Sequence, residues 1–86
     1  MKVIFSKKAD KQISSFNPFI RQKIVNVLEK FQNGERVDIK KLKGMGNEFR
    51  IRVGSYRIIL DKLSNGDFSV LEIGERENIY FFGFLA

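Results

Sequence analysis

The chain has 86 residues, of which 43% are apolar, and a formal net charge of +6. This length suits one domain with a single hydrophobic core. Neither Cys nor His occurs, which excludes disulfides, a thiol nucleophile, Cys-based zinc sites and a histidine general base. An enzyme built from this chain must therefore work with Arg, Lys, Tyr, Asp, Glu and Ser.

The positive charge is concentrated in the first two thirds of the chain. Residues 1–57 carry 14 basic and 5 acidic side chains, whereas residues 58–86 carry 2 basic and 5 acidic. Nucleic acid, an acidic protein partner or simply a well-solvated surface would each suit this balance. The carboxylates show no metal-loop spacing, so no metal or other cofactor is expected. Because no apolar run has the length of a membrane span or a secretory signal, we expect a soluble, cytoplasmic protein with no membrane partner.

The first half of the chain predicts a strand followed by two helices. Residues 2–6 are rich in β-forming residues and predict the first strand, after which Ser6 is a suitable N-cap for a short helix. Asn17 and Pro18 predict the start of a second helix, which should end at the Asn-Gly pair of positions 33–34. Apolar side chains recur at helical spacing in both helices: Ala9, Ile13, Phe16, Ile20, Ile24, Val27, Leu28 and Phe31.

The second half predicts antiparallel strands joined by tight turns. Residues 49–53 and 56–63 predict two strands joined at Gly54-Ser55, a pair suited to a type II′ turn. Asn65-Gly66 predicts a second hairpin, followed by a strand over residues 67–73. The segment between the second helix and these strands is predicted to be a loop. The apolar C-terminal tail is expected to add a strand or to pack as an irregular arm.

The predicted register places three arginines on one side of the sheet. With a two-residue turn, Arg52 faces Arg57 and Ile51 faces Ile58, and side chains alternate between the two faces. The helices should cover the apolar face. The opposite face, which we call the arginine face, carries Arg50, Arg52 and Arg57.

A fourth arginine should join this face. Continuing the count through the second hairpin places Gly74 opposite Arg57, and Arg76 lies two residues further along the same strand. Like charges directly opposite each other are destabilising by up to about 1 kcal/mol, so folding alone does not favour this arrangement. Glu72 shares the face, and simple surface salt bridges are therefore an alternative explanation for the arginines. A surface for phosphate or RNA is favoured because the arginines outnumber the nearby carboxylates.

An apolar patch is predicted beside the arginines. The same count places Ile59, Leu63, Phe68 and Val70 on the arginine face, towards the second hairpin. Such a patch suits a protein-docking site next to a phosphate site. Alternatively, the C-terminal segment or the loop after the second helix folds over the patch and buries it.

The predicted fold class is α+β, with an N-terminal strand, a two-helix hairpin and an antiparallel sheet of three to four strands packed on the helices. In this setting the runs "LKGMGNEFRIRVGSYRIIL" and "FSVLEIGERENIY" resemble the RelE/ParE superfamily of toxins from type II toxin–antitoxin modules. The resemblance extends over nearly the whole chain, so residues 1–86 are expected to form a single RelE-like toxin domain. It is strongest for RelE-like mRNA interferases.

The resemblance implies an activity. RelE-like toxins are endoribonucleases that cleave mRNA on the 70S-type ribosome and so inhibit translation. They need no metal, because the 2′-OH of one nucleotide attacks the adjacent phosphate and leaves a 2′,3′-cyclic phosphate and a 5′-OH. This reaction requires cations around the phosphate, a base for the 2′-OH and an acid for the leaving oxygen.

The resemblance also implies roles for particular residues. Arg57 matches the phosphate-binding arginine of the family, Arg76 the arginine on the leaving-group side, and Tyr80 the tyrosine that contacts RNA. Arg50 and Arg52 fall where RelE-like toxins carry two lysines, one of them proposed as general base. Arginine has a pKa above about 12 and is a poor base, so Arg52 is assigned to stabilising the developing oxyanion and the base stays open. Two lysines are expected to contact phosphates or ribosomal RNA: Lys41 and Lys43.

The resemblance implies a protein partner and leaves two other functions open. A small RelB-like antitoxin should bind the toxin through an acidic and apolar segment, docking on Ile59, Phe68 and Val70 or on the C-terminal aromatic tail. ParE-like members share the fold but inhibit DNA gyrase by binding. A plain RNA-binding or ribosome-binding module with little or no catalysis is the third possibility. Glu75 and Glu77 flank Arg76 and would weaken its effect on RNA.

Overall fold

The computed structural model describes residues 1–42 and 46–75, which form two helices packed on one face of a single sheet. The sheet order is β1-β5-β4-β3-β2, with β1 parallel to β5 and the other pairs antiparallel. No helix in these described ranges is long and apolar enough to span a membrane. The elements in chain order are β1 (Val3–Phe5), α1 (Lys7–Ser15), α2 (Pro18–Gln32), β2 (Ile39–Lys41), β3 (Glu48–Val53), β4 (Tyr56–Lys62) and β5 (Phe68–Glu75).

The predicted α+β order is confirmed, with one correction to the sheet. The sheet was predicted to be antiparallel with three to four strands, but the described chain forms five strands in a mixed sheet. The N-terminal strand joins it in parallel, as the partner of β5. In addition, β2 forms within the segment that was predicted to be a loop. Three residues of alternating pattern are too few to be recognised as a strand without their partner.

Local sequence signals fix the ends of the helices. The Oγ of Ser6 accepts a hydrogen bond from the backbone N–H of Ala9 at 3.1 Å, and the Oδ1 of Asn17 accepts one from Ile20 at 2.9 Å. These N-caps satisfy backbone donors that have no partner inside the helix. After α2, Gly34 has a φ of 82°, a left-handed conformation that glycine adopts without a steric penalty.

The core lies between the helices and one face of the sheet. α1 follows β1 directly and continues along the same edge of β5, where the Oε1 of Gln12 accepts a hydrogen bond from the backbone N–H of Ile73 at 2.7 Å. α2 packs its apolar side on the central strands. Each fully buried aliphatic side chain contributes roughly 1.5–3 kcal/mol. The largest of these side chains are Ile24, Ile51, Ile58, Leu60, Val70 and Ile73.

The β3–β4 hairpin has the predicted register. Val53 pairs with Tyr56, Arg52 with Arg57 and Ile51 with Ile58. Gly54 has a φ of 59° and Ser55 a negative φ, which is the backbone pattern of a type II′ turn. The tight turn therefore sets which side chains of both strands face the helices.

The β4–β5 hairpin differs from the prediction near its turn. Lys62 pairs with Phe68, so the loop comprises residues 63–67 rather than a two-residue Asn-Gly turn. This shifts the register by one residue, and a β-bulge at Leu71 shifts it back. Beyond the bulge, Gly74 lies opposite Arg57 as predicted.

The predicted apolar patch on the arginine face is wrong for this reason. Because a shift of one residue moves each side chain to the other face, Phe68 and Val70 point into the core. Phe68 packs edge to face on Phe31 and Phe49, and Val70 is fully buried. Ile59 does lie on the arginine face, but it is buried. These three residues therefore do not form the exposed docking patch that the sequence predicted.

Candidate functional site

The arginine face consists of two rows of side chains that cross the sheet. Ladder pairing places Arg52 of β3, Arg57 of β4 and Gly74 of β5 in one row. The second row runs from β2 to β5 and contains Lys40, Arg50, Ile59 and Glu72. The predicted convergence of Arg50, Arg52 and Arg57 on one face is confirmed.

Arg52 and Arg57 are placed against electrostatic preference. They pair directly after Val53 and Tyr56, the two residues that flank the turn. The backbone N–H of Arg52 donates a hydrogen bond to the backbone carbonyl of Asp38, next to β2, at 3.0 Å. The pair is therefore of the non-hydrogen-bonded kind, in which the side chains are closest. Two like charges in this position destabilise the hairpin by up to about 1 kcal/mol.

The three guanidinium groups have different exposures. Arg57 is buried, with 8% of the residue exposed, and the Arg50 side chain is 14% exposed. The Arg52 side chain is 51% exposed. The face thus combines two arginines that are held largely out of water with one that extends into solvent. Charge interactions are stronger at the buried positions because the local dielectric constant is lower than that of water.

Asp38 is the counter-ion of the two arginines of β3. It lies directly before β2 and opposite Arg52, so its side chain is on the arginine face. Its Oδ2 accepts a hydrogen bond from the Nε of Arg52 at 2.9 Å, and its Oδ1 lies 3.7 Å from the Nη2 of Arg50. A single carboxylate therefore touches both guanidinium groups.

Glu72 is a second carboxylate on this face, at the β5 end of its row. Its Oε1 accepts a hydrogen bond from the Nζ of Lys8 at 2.6 Å. The Glu72 side chain is 12% exposed, whereas that of Lys8, in the first turn of α1, is 59% exposed. The pair connects α1 to the arginine face and compensates the charge of a mostly buried carboxylate.

The remaining predicted site residues have different outcomes. Lys41 is exposed on β2 but pairs with Phe49, so by register it belongs to the helix side rather than to the arginine face. Its role as a contact to phosphates or ribosomal RNA stays a prediction, and Lys40 is the lysine that the register places on the arginine face. Three predicted residues lie outside the described ranges: Lys43, Arg76 and Tyr80.

Sequence reasoning missed Asp38 and Lys40. Both would have been placed correctly if residues 39–41 had been recognised as a strand pairing with β3. The available signal is the alternation of Asp38, Ile39 and Lys40, in which one apolar side chain lies between two charged ones. In the described ranges, no group of three or more Asp or Glu side chains is placed to hold a metal ion.

Comparison with known protein families gives the class of protein. The family model described as "ParE toxin of type II toxin-antitoxin system, parDE" matches residues 3–80. Because the match includes most of the sequence, the chain belongs to the RelE/ParE superfamily of type II toxin–antitoxin toxins.

Individual relatives confirm the resemblance to RelE-like toxins. "Toxin RelE3" of Methanocaldococcus jannaschii is 38% identical over 86 residues, covering 93% of this chain and 96% of that toxin. The RelB–RelE antitoxin–toxin complex from Methanococcus jannaschii contains a chain that is 31% identical with a TM-score of 0.76, covering 92% of this chain and 96% of that one. The isolated Escherichia coli RelE toxin has a TM-score of 0.74 over 98% of this chain and 95% of its own, but its 19% identity shows the fold alone.

Proposed function

We propose that this protein is a ribosome-dependent mRNA endoribonuclease that inhibits translation, acting in the cytoplasm as a single domain over residues 1–86. The observation that carries the proposal is the grouping of Arg50, Arg52 and Arg57 on the side of the sheet opposite the helices. Like-charge neighbours weaken a sheet, so their grouping is better explained by a polyanionic ligand than by folding. The similarity to RelE toxins supports the same conclusion.

The proposed reaction is attack of a ribose 2′-oxygen on the adjacent phosphorus. The new O2′–P bond forms as the P–O5′ bond breaks, giving a 2′,3′-cyclic phosphate and a 5′-OH. Negative charge accumulates on the non-bridging oxygens, and the guanidinium forks of Arg57 and Arg52 are suited to bind them in pairs. Gly74, opposite Arg57, contributes no side chain to this part of the face.

The remaining roles are assigned by the family resemblance. Arg76 would protonate or stabilise the leaving 5′-oxygen, and Tyr80 would contact the RNA. Arg50 and Lys43 would bind flanking phosphates, and Lys41 would do so only from the edge of the sheet. The proton of the 2′-OH leaves to water or to a group other than Arg52, because a guanidinium does not act as a base near neutral pH.

A RelB-like antitoxin is the proposed protein partner. The M. jannaschii relative was crystallised as a RelB–RelE complex. An acidic antitoxin segment would complement the net positive charge of this chain. Since Phe68 and Val70 belong to the core, the docking surface must be sought elsewhere, with the C-terminal tail as the remaining predicted position.

Primer extension on an mRNA that is being translated in a cell-free system tests the proposed function. We expect new cleavage sites that require ribosomes with the wild-type protein. Arg57→Gln should reduce cleavage about 100-fold or more, the usual effect of removing one group that stabilises transition-state charge. Lys30→Gln is the matched control, because it removes one positive charge from α2, on the other side of the sheet. Intact mRNA with the wild-type protein would reject the proposal, and RNA binding without cleavage would indicate a non-catalytic module.

The description of the matching family favours a second candidate. ParE-like toxins inhibit DNA gyrase, and the family model carries that name. A gyrase supercoiling assay distinguishes the two functions. Inhibition that persists in Arg57→Gln, together with intact mRNA, would establish the ParE-like function.

A further inference from the structure

Asp38 contacts two of the arginines to which the proposed function assigns RNA phosphate binding. Its two carboxylate oxygens each reach a different guanidinium, at 2.9 Å from Arg52 and 3.7 Å from Arg50. A phosphate group presents paired anionic oxygens of similar geometry to arginine. Within the described part of the chain, Asp38 is therefore an internal anion on the proposed RNA-binding surface.

The two arginines retain donors that Asp38 does not use. The hydrogen bond from Arg52 to Asp38 is made through Nε, and the Arg52 side chain is half exposed. The Nε of Arg50 is buried and has no hydrogen-bond partner in the described ranges. A buried donor without a partner is unfavourable, so Asp38 leaves part of the hydrogen-bonding capacity of Arg50 unused.

We propose that Asp38 competes with RNA phosphate for Arg50 and Arg52 and thereby lowers the affinity of the arginine face for free RNA. The inference rests on the proposed function in so far as RNA is the ligand. Asp38 is a positioning residue, since it acts through the arginines and not on the reacting atoms. Its backbone is fixed by the hydrogen bond from the N–H of Arg52, which keeps the carboxylate in place opposite that residue.

This competition affects free and ribosome-held RNA differently. An isolated strand must displace Asp38 using only the contacts it makes with the toxin. A strand already held by the ribosome reaches the arginine face at a high effective concentration, so the same displacement is readily overcome. Asp38 would in this way favour RNA in its proper context over RNA elsewhere in the cell.

The test is the salt dependence of RNA binding by Asp38→Asn. Asn keeps the shape and can still accept a hydrogen bond from Arg52, but it removes the charge. A fluorescently labelled 2′-O-methyl RNA oligonucleotide is used as the probe because it lacks the nucleophilic 2′-OH and cannot be cut. Removing one competing charge should steepen the slope of log K against log salt by about 0.7. If wild type and Asp38→Asn bind the RNA equally well near 1 M salt, this difference in slope corresponds to roughly fivefold tighter binding by Asp38→Asn at 0.1 M salt.

Two further variants make the test specific. Glu29→Gln, at an exposed position of α2 on the other side of the sheet, changes the net charge equally and should leave the slope unchanged. Added to Arg52→Gln, the Asp38→Asn substitution should give a smaller gain than it gives in wild type, because one of the two guanidinium groups that contact Asp38 is already absent. Circular dichroism of each variant verifies that it is folded.

The outcomes separate this inference from the proposed function. An unchanged or shallower slope for Asp38→Asn, or an equal change for Glu29→Gln, would overturn the inference even if wild-type protein cleaves mRNA. Absence of binding by wild type and Asp38→Asn alike would also overturn it. Tighter binding by Asp38→Asn without any mRNA cleavage by wild type would support the inference and reject only the proposed nuclease activity.

Discussion

The two faces of the sheet are made by the same strands, but one pairs apolar side chains and the other pairs like charges. On the helix side, Ile51 and Ile58 lie opposite each other and are fully buried, with matched apolar surfaces. On the arginine face, the next pair along the ladder is Arg52 and Arg57, whose charges repel. The helix side thus stabilises the fold, whereas the arginine face contributes charge repulsion that opposes folding.

The difference teaches where stability and function reside in a domain of this size. With 86 residues there is little surplus stability, so the helix side must support a face that contributes repulsion. Asp38 reduces this repulsion through its ion pair with Arg52, and Lys8 balances the charge of Glu72. Substitutions on the two faces should therefore separate effects on unfolding from effects on activity.

The largest effect on stability is expected for Ile58→Ala. Ile58 is fully buried under the helices, and its truncation leaves a cavity in the core. The free energy of unfolding should fall by about 2–5 kcal/mol, measured by urea denaturation. Ile58→Val, which removes one methylene, is the control and should lose about 0.5–1.5 kcal/mol. A loss below about 1 kcal/mol for the alanine variant would contradict the assignment of this face as the main source of stability.

Arg57→Gln tests the adjacent residue of the same strand, whose side chain lies on the opposite face. We expect the free energy of unfolding to fall by less than in Ile58→Ala, because Gln keeps part of the side chain and the substitution also removes the repulsion with Arg52. Cleavage of translated mRNA should nevertheless fall by at least about 100-fold. Urea denaturation and primer extension on the same preparation measure both quantities. A loss of stability as large as that of Ile58→Ala would show that Arg57 is structural.

The turn that sets the two faces should have an intermediate effect. Gly54 has a φ of 59°, and a Cβ there is strained although no neighbouring atom lies within 4 Å of it. Gly54→Ala is expected to reduce the free energy of unfolding by about 1–2 kcal/mol. Ser55→Ala, at the other turn position with a negative φ, should change it by less than about 0.5 kcal/mol. Equal effects at the two positions in thermal unfolding would argue against the type II′ turn.

The smallest effect is expected for the ion pair of Lys8 with Glu72. Because the Lys8 side chain is 59% exposed, Lys8→Gln should lower the free energy of unfolding by roughly 0.5–1 kcal/mol at low salt. Lys7→Gln is the control, since it removes the same charge from the same turn of α1 without a contact to Glu72. The difference between the two variants should shrink at high salt. No difference at low salt would mean that the pair contributes nothing to the arginine face.

The contrast between the two hairpins explains how much of the fold could be predicted. The β3–β4 register was predicted correctly because a two-residue turn leaves no freedom in the count. In the second hairpin the loop is longer than predicted, and the bulge at Leu71 compensates by one residue. The two errors cancel beyond the bulge, so Gly74 was placed correctly while Phe68 and Val70 were placed on the wrong face. Loop length and bulges depend on tertiary packing that local sequence does not report.

The arginines were predictable and their counter-ion was not. Arg50, Arg52 and Arg57 lie next to a turn with a strong local signal, so alternation alone assigns them to one face. Asp38 depends on β2, a three-residue strand whose position is set by pairing with β3 rather than by its own sequence. The parallel pairing of β1 was missed for the same reason, since nothing near residues 3–5 indicates a partner more than sixty residues away.

That parallel pairing also bears on the order in which the chain folds. Val3 pairs with Phe68, so closing this contact joins segments 65 residues apart and costs on the order of 4 kcal/mol in loop entropy before any pairing energy is gained. Helices and the β3–β4 hairpin need only local contacts and can form early, whereas β1 must wait until β5 has left the ribosome. During synthesis, the hairpin that carries the arginines can therefore form before the five-stranded sheet is complete.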